Sequence, residues 1–262
     1  MAGSIGEGFD ALVCDLDGVI YRGSTPIPGS AEAIAGLRAR GVRVVFCTNN
    51  SRSTVSDYVT KLSAMGIPTA PEDVITSAVV TAEVLRERGF AGKTAIVVGG
   101  DGVREALSSA CISIKDDPGV RRADVVVVGF DPGFTYEAMK RATHAVLNGA
   151  VFVATNEDPS FPAEEGLWPG AGAILASIET ASGRRAEIMG KPHPPMMDVV
   201  ADRVGPDAKV LVVGDRPDTD LAGGVARGWP TVLVLTGVTA ESDVAGAAPQ
   251  PDRVLGSIAE LI

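Results

Sequence analysis

The heptapeptide Val13-Cys14-Asp15-Leu16-Asp17-Gly18-Val19 places two carboxylates, two residues apart, at the end of an apolar run and directly before a glycine. Residues i and i+2 of an extended strand face the same side. Asp15 and Asp17 are therefore expected to converge at the carboxyl end of a first strand, Ala11–Asp17. Like charges so close repel unless a cation lies between them. A hard divalent ion such as Mg²⁺, held by one or two carboxylates with waters and phosphate oxygens, meets that need. The same pattern also suits a plain turn, since Asp and Gly dominate turns, and the rest of the chain decides between the two.

Working outward, short β-branched runs alternate with helix-length amphipathic segments, the pattern of a parallel sheet covered by helices. A helix is expected over Pro28–Arg40, stopped by Gly41, and a second strand over Val42–Thr48, ending in the polar run Thr48-Asn49-Asn50-Ser51. A helix over Ser53–Met65 and a short strand at Asp73–Thr76 follow. Strands at Thr94–Gly99, Ala110–Ile114, Val125–Gly129 and Val151–Thr155, with helices at Gly102–Ser109 and Thr135–Leu147, form a second α/β block. From Asn156 to Gly172 the pattern dissolves into a loop carrying Pro159, Pro162 and Pro169, and a helix resumes over Ala173–Thr180. Beyond Lys191 come a helix at Pro195–Val204, a strand Val210–Gly214 ending in Asp215, a helix at Leu221–Arg227, a strand at Thr231–Leu235 and a weak last element near Val254–Leu261. The organisation read from this is one core domain, residues 1–78 and 186–262, interrupted by an inserted α/β domain over 79–185.

Ligands of open α/β sheets bind outside the carboxyl ends of the strands. Three core strands end in Asp15 and Asp17, in Thr48 and Asn49, and in Asp215: acid for a metal, hydroxyl and amide for an anion, and acid again. Lys191, between Gly190 and Pro192, sits in a defined turn where it can supply one more cation to a metal and a phosphate.

Composition sets bounds on this reading. A chain of 262 residues is long enough to divide into two cores. Hydrophobic content of 45% with 21% charged residues fits an ordinary soluble α/β protein. The formal net charge of −10 argues against nucleic acid or an anionic membrane as main partner, because both attract basic surfaces. Three cysteines, no secretory leader over Met1–Asp10 and no membrane-length apolar run give the expectation of a cytoplasmic, thiol-reduced protein.

Four motifs in order resemble the haloacid dehalogenase superfamily: Asp15-Leu16-Asp17-Gly18-Val19, Thr48-Asn49-Asn50-Ser51, Gly190-Lys191-Pro192, and Gly214-Asp215-Arg216-Pro217-Asp218-Thr219-Asp220. Ala154-Thr155-Asn156-Glu157-Asp158 and Pro169-Gly170-Ala171-Gly172 resemble one phosphatase branch. Its members carry a large α/β cap between the second and third motifs and include the N-acetylglucosamine-operon, phosphoglycolate, 4-nitrophenyl and pyridoxal phosphatase types. The resemblance spans nearly the whole chain. It implies a Rossmann-like parallel-sheet core with an inserted α/β cap, and metal-dependent hydrolysis of small phosphorylated metabolites, with sugar, glycerol, glycolate and nucleotide phosphates all open.

In that scheme Asp15 attacks phosphorus and forms an aspartyl-phosphate. Asp17 protonates the leaving alcohol and then deprotonates the hydrolytic water. Mg²⁺ is held by the carboxylates of Asp15 and Asp215 and the backbone carbonyl of Asp17, while Thr48, the Asn49 amide and Lys191 hold phosphate oxygens. Asp220 fits two roles, orienting waters or Lys191, or capping the helix beginning at Leu221. The resemblance also implies a homodimer formed through the cap.

Leaving-group choice falls to the cap loop, with Phe161 where pyridoxal phosphatases carry histidine, and to Tyr21 and Arg22 as an aromatic wall and an anion contact. Cys14 and Cys47 precede site positions on strands and read as buried thiols. A nicotinamide-dependent oxidoreductase is excluded, because Gly-x-Gly-x-x-Gly read from Gly100 or Gly170 ends in Glu105 or Leu175. A phosphotransferase or phosphomutase sharing the aspartyl-phosphate, and a non-catalytic phosphometabolite-binding protein, are the alternatives.

Overall fold

The computed structural model describes residues 8–163 and 166–262. Its first third runs β1 (Ala11–Cys14), β2 (Tyr21–Arg22), β3 (Thr25–Pro26), α1 (Ser30–Ala39), β4 (Arg43–Thr48), α2 (Val55–Ala64), β5 (Val74–Thr76) and α3 (Ser77–Glu87). The middle runs β6 (Thr94–Val98), α4 (Asp101–Ser109), β7 (Ser113–Ile114), β8 (Val125–Val128), α5 (Tyr136–Leu147), β9 (Val151–Ala154), β10 (Ser160–Ala163), β11 (Gly166–Pro169), α6 (Ala171–Ser182) and β12 (Glu187–Ile188). The chain ends with α7 (Pro194–Val204), β13 (Val210–Gly214), α8 (Ala222–Ala226), β14 (Thr231–Val234) and β15 (Arg253–Leu255).

These elements form two compact units. One holds the described residues up to Thr48 together with Ser56–Ile75 and Lys191–Ile262; the other holds Asn49–Val55 and Thr76–Gly190. The first unit is built on a six-stranded sheet of order β15-β14-β13-β1-β4-β5. All four residues of β1, Ala-Leu-Val-Cys, are buried, as a central strand covered on both faces requires. β1 pairs parallel with β4, Val13 opposite Val45, and with β13, Val13 opposite Val212. This register brings the carboxyl ends of the three strands to one edge of the sheet.

The second unit is built on a five-stranded parallel sheet of order β12-β9-β8-β6-β7. Ile96, Val126 and Phe152 from its strands pack with Ala142, Val146, Ile174 and Ile178 from α5 and α6. Among the described residues no helix is long and apolar enough to cross a membrane.

Three local departures from the sequence expectations have physical causes. β1 stops at Cys14 rather than running to Asp17, because the Leu16 carbonyl collects the N–H groups of Val19, Ile20 and Tyr21 and turns the chain. Ser77–Glu87, where the sequence analysis placed no element, is a helix, opened by the Thr76 hydroxyl accepting from the Val79 N–H at 3.2 Å. Within the expected loop of 156–172, β10 and β11 pair as an antiparallel hairpin, Phe161 opposite Trp168.

Candidate active site

In the first unit the chain leaves β1 as Asp15, whose N–H donates to the Val213 carbonyl at 2.9 Å and so continues the ladder for one more rung. Asp17 is placed by the following turn, not by strand alternation. Gly18 adopts φ +84°, its N–H donates to the Tyr21 carbonyl at 2.8 Å, and Asp17 forms an isolated bridge with Tyr21. A β-carbon at Gly18 would stand 2.6 Å from Asp215 Oδ2, so both the backbone angle and the space demand glycine.

Lys191 is the hub of the cluster. It is 5% exposed, and its Nζ donates to Asp15 Oδ1 at 2.6 Å and the Cys47 carbonyl at 2.7 Å, and pairs with Asp220 Oδ1 at 2.7 Å. Asp220 Oδ2 accepts from the N–H groups of Asp215 and Arg216, both at 3.1 Å. Asp220 thus sits inside the turn Pro217–Leu221 and holds Lys191 and the backbone around Asp215; it does not cap α8. Asp215 Oδ2 accepts from the Val238 N–H at 2.6 Å, and the Asp215 carbonyl accepts from the Thr239 hydroxyl at 2.6 Å. Thr48, at the end of β4, is 4% exposed and shares a hydrogen bond with the Tyr58 side chain.

The carboxylates of Asp15, Asp215 and Asp220 each offer an oxygen within 4.8 Å of one another, and among the described residues Asp17 does not join them. Three acids against one buried lysine leave the cluster short of positive charge. Burial, then the charge of Asp220, pushes the Asp215 carboxyl up to about 7. Burial also raises Asp15 well above the carboxylate range, against the pull of Lys191. Burial opposes the charge on Lys191, yet Asp15 and Asp220 hold its proton more tightly than usual. An all-carboxylate donor set that lacks compensating charge fits a hard divalent cation.

Asp17 is raised by burial, opposed first by Lys61, then by the Gly23 N–H and lastly by Lys191. A carboxyl that keeps its proton to higher pH than usual is better suited to donate one to a leaving group. Burial lifts the Cys47 thiol to about 12 and Cys14 well above the thiol range, so both stay protonated.

In the second unit, Asn49 is 8% exposed and its side-chain amide donates to both Asp158 carboxylate oxygens, at 3.2 and 3.4 Å. The Asn49 carbonyl accepts from Ser77 Oγ at 2.6 Å and from Asn156 Nδ2 at 2.7 Å. The two glycines of Pro169-Gly170-Ala171-Gly172 let the start of α6 press on this loop, the Gly172 N–H donating to the Asp158 carbonyl at 2.9 Å.

Two specificity candidates read differently once placed. Tyr21 is fully buried with Lys61 over its ring, so its face is not a wall open to solvent. Arg22 is exposed and its Nε donates to the Thr236 carbonyl. Phe161 lies in β10; its side chain is outside the described residues.

Sequence reasoning passed over Tyr58 and Lys61 on α2 and the segment Thr236–Thr239, whose Thr236 hydroxyl donates to the Gly18 carbonyl at 2.6 Å. The available signal was Thr236-Gly237 directly after a core strand, where a β-carbon on Gly237 would overlap the Asp215 carboxylate.

Comparison with known proteins shows the family and the fold. A family model described as haloacid dehalogenase-like hydrolase matches residues 12–112, and a second HAD-hydrolase-like model matches residues 188–261. The acid sugar phosphatase of Staphylococcus epidermidis is 39% identical over 237 residues, 90% of each chain. Among solved structures, the p-nitrophenyl phosphatase of Archaeoglobus fulgidus superposes with a TM-score of 0.89 at 34% identity, covering 97% of this chain and 98% of that one. A glycerol phosphate phosphatase from Mycobacterium tuberculosis, solved in complex with magnesium, gives a TM-score of 0.89 at 33% identity, covering 99% of this chain and 78% of that one.

Proposed function

The chain belongs to the haloacid dehalogenase-like hydrolases, and from that premise we propose that it hydrolyses phosphate monoesters of small metabolites, with Mg²⁺ as its metal, through an aspartyl-phosphate on Asp15. The observation that carries this reading is the lysine-centred cluster: Lys191 grips one oxygen of Asp15 at 2.6 Å and is itself anchored by Asp220 at 2.7 Å. One oxygen held leaves the other to act as nucleophile, aimed by a side chain that cannot swing away.

The donor set of Asp15 and Asp215, with the Asp17 carbonyl, would hold the ion, which when bound screens phosphate charge from these acids. The remaining work falls to the chain. Asp15 forms a bond to phosphorus as the ester P–O bond breaks, and Asp17 gives its proton to the departing alkoxide. Asp17, now a carboxylate, takes a proton from water as that water attacks phosphorus and the P–O bond to Asp15 breaks. Orthophosphate leaves, and both aspartates return to their starting states. Thr48 and the backbone N–H of Asn49, next to it in the chain, supply donors to the phosphoryl oxygens. Lys191 positions Asp15 and lends its charge to the same group.

Sugar and glycerol phosphates head the substrate class, in keeping with the acid sugar phosphatase of Staphylococcus epidermidis and with the glycerol phosphate phosphatase neighbour. The test is phosphate release from a panel of small phosphomonoesters, with Mg²⁺ and with chelator, for wild type and Asp15→Asn side by side. Metal-dependent release that disappears in the variant supports the reading; no release from any ester by the folded wild type overturns it.

A further inference from the structure

Lys61 has no task in the reaction set out above, yet it rests on the ring of Tyr21, the residue bridged to the aspartate assigned to protonate the leaving group. It projects from α2 one turn beyond Tyr58, so the two share a face of that helix. Its Nζ lies 3.3 Å from the centroid of the Tyr21 ring. A cation on an aromatic face is attracted by the ring quadrupole, and here the platform is fixed. Tyr21 is fully buried, its N–H donates to the Leu16 carbonyl, and its carbonyl accepts from Gly18 in the turn that carries Asp17.

Among the described residues the Lys61 ammonium makes no hydrogen bond and no ion pair. Lysine carries three N–H donors, and the ring occupies one side of the group. Lys191, by contrast, spends its donors on Asp15, Asp220 and the Cys47 carbonyl. The two lysines also divide the acids. Lys191 contacts Asp15 and Asp220, whereas Lys61 rests on the ring of Tyr21, the residue bridged to Asp17, on the Asp17 side of the cluster. A partly buried cation, pinned in place and with donors to spare, is a site for an oxygen atom of a ligand.

We propose that Lys61 is a specificity-determining residue that binds the leaving group. Its ammonium, held on the Tyr21 ring beside Asp17, takes a hydroxyl or carboxylate oxygen on the carbons next to the ester, and so selects oxygen-rich phosphate esters over plain alkyl ones. The proposal rests on the phosphatase reading and refines its substrate class. It also gives Tyr21 a role other than an aromatic wall: the ring is the support, and the lysine is the contact.

The experiment compares two esters whose leaving oxygens are alike and whose remaining atoms differ, glycerol 3-phosphate and propyl phosphate, on wild type, Lys61→Met and Lys61→Arg. Methionine keeps an unbranched stem over the ring and removes the charge; arginine keeps the charge. Wild type is expected to favour glycerol 3-phosphate in kcat/KM. Lys61→Met should lose about tenfold or more on that ester, the size of one charge-assisted hydrogen bond, and less than about threefold on propyl phosphate. Lys61→Arg should keep most of the preference.

Equal losses on both esters would assign Lys61 to the acid or to the fold and overturn the proposal, as would a preference unchanged in Lys61→Met. Thermal midpoints of the variants are measured first, and if Lys61→Met does not fold, Lys61→Gln carries the same expectation. Hydrolysis of neither ester by wild type would strike at the phosphatase reading itself. Hydrolysis of both with an unaltered ratio in the variant would remove the lysine assignment alone.

Discussion

The two sheets of this chain are built alike and end differently. Each has fully buried parallel strands at its centre, Ala11–Cys14 in one and Val125–Val128 in the other. In the first unit the residues at or just past the strand ends are Asp15, Thr48 and Asp215, whereas in the second they are Gly99, Gly129 and Thr155. A β-carbon on Gly129 would lie 2.6 Å from Ser51 Oγ and 3.0 Å from Thr155 Oγ1, so small size there accommodates the 2.9 Å hydroxyl pair of Ser51 and Thr155. The comparison separates architecture from chemistry. The same layering yields a charged, strained-for-cation cluster in one unit and a neutral hydrogen-bonded one in the other, so function is read from the strand ends and not from the fold.

The largest expected effect breaks the charged sheet alone. Asp15→Asn should lower turnover of every ester at least about a thousandfold, as loss of a nucleophile does, while far-ultraviolet circular dichroism stays native. Turnover within about tenfold of wild type would take the nucleophile role from Asp15. Lys191→Met comes next and is read as stability. It strips the buried partner from both Asp15 and Asp220, and breaking a buried pair from one side costs about 3–5 kcal/mol. Denaturant unfolding in chelator checks it. A loss under about 1 kcal/mol would mean that the acids find other compensation.

Proton and metal should compete at the same cluster. The folded chain holds the Asp215 proton up to about 7, whereas an unfolded aspartate releases it near ~3.9. Between those values the folded state binds the extra proton. This contribution therefore favours folding at low pH, fades as pH rises through the window and is gone above about 7. In chelator, the melting temperature of wild type should fall relative to Asp215→Asn between pH 5 and 8. Mg²⁺ should raise the wild-type midpoint more at pH 8 than at pH 5.5, because the ligand must be ionised to bind. A Mg²⁺ shift that ignores pH, or persists in Asp215→Asn, would place the ion elsewhere.

The sequence made the charged strand ends legible because parallel strands in register must bring their carboxyl ends together. β13, Val210–Gly214, was bounded correctly by its apolar run and the acid after it. The placement of Asp17 was not legible in the same way. Period-2 alternation put it on the strand, but the Leu16 carbonyl gathers three N–H groups and Gly18 turns left-handed, a local choice that hydrophobic periodicity does not encode. Lys61 and Tyr58 escaped because an amphipathic helix advertises its buried face, not which of its polar residues meets a distant turn. Asn49 was legible as a polar strand end, yet its side chain is spent on Asp158, more than a hundred residues away. Long-range partners of that kind come from the fold alone.

The neutral sheet offers a gentler test. Thr155→Val removes the hydroxyl that donates to Ser51 Oγ in a buried pair. One such bond contributes about 1 kcal/mol, more if Ser51 is left without a partner. Unfolding should register that loss while turnover of 4-nitrophenyl phosphate stays within about tenfold. A thousandfold drop, matching Asp15→Asn, would erase the contrast between the two sets of strand ends.

The smallest energetic effect is expected in the β10–β11 hairpin, where Trp168 is 40% exposed and Leu167 74%. Neither is held by the core of its unit, so Trp168→Ala should change unfolding free energy by no more than about 0.5 kcal/mol, the usual range for a surface substitution. Phe161 is its partner across the hairpin. If Trp168 and Phe161 serve leaving-group choice, substituting either should reorder sugar, glycerol and nucleotide phosphates in kcat/KM and leave 4-nitrophenyl phosphate nearly untouched. The aryl ester asks least of recognition, because its leaving group departs readily without help. A uniform fall across the panel would instead make the hairpin part of the machinery shared by all substrates. No reordering at all would leave leaving-group choice to the charged unit, and within it to Lys61.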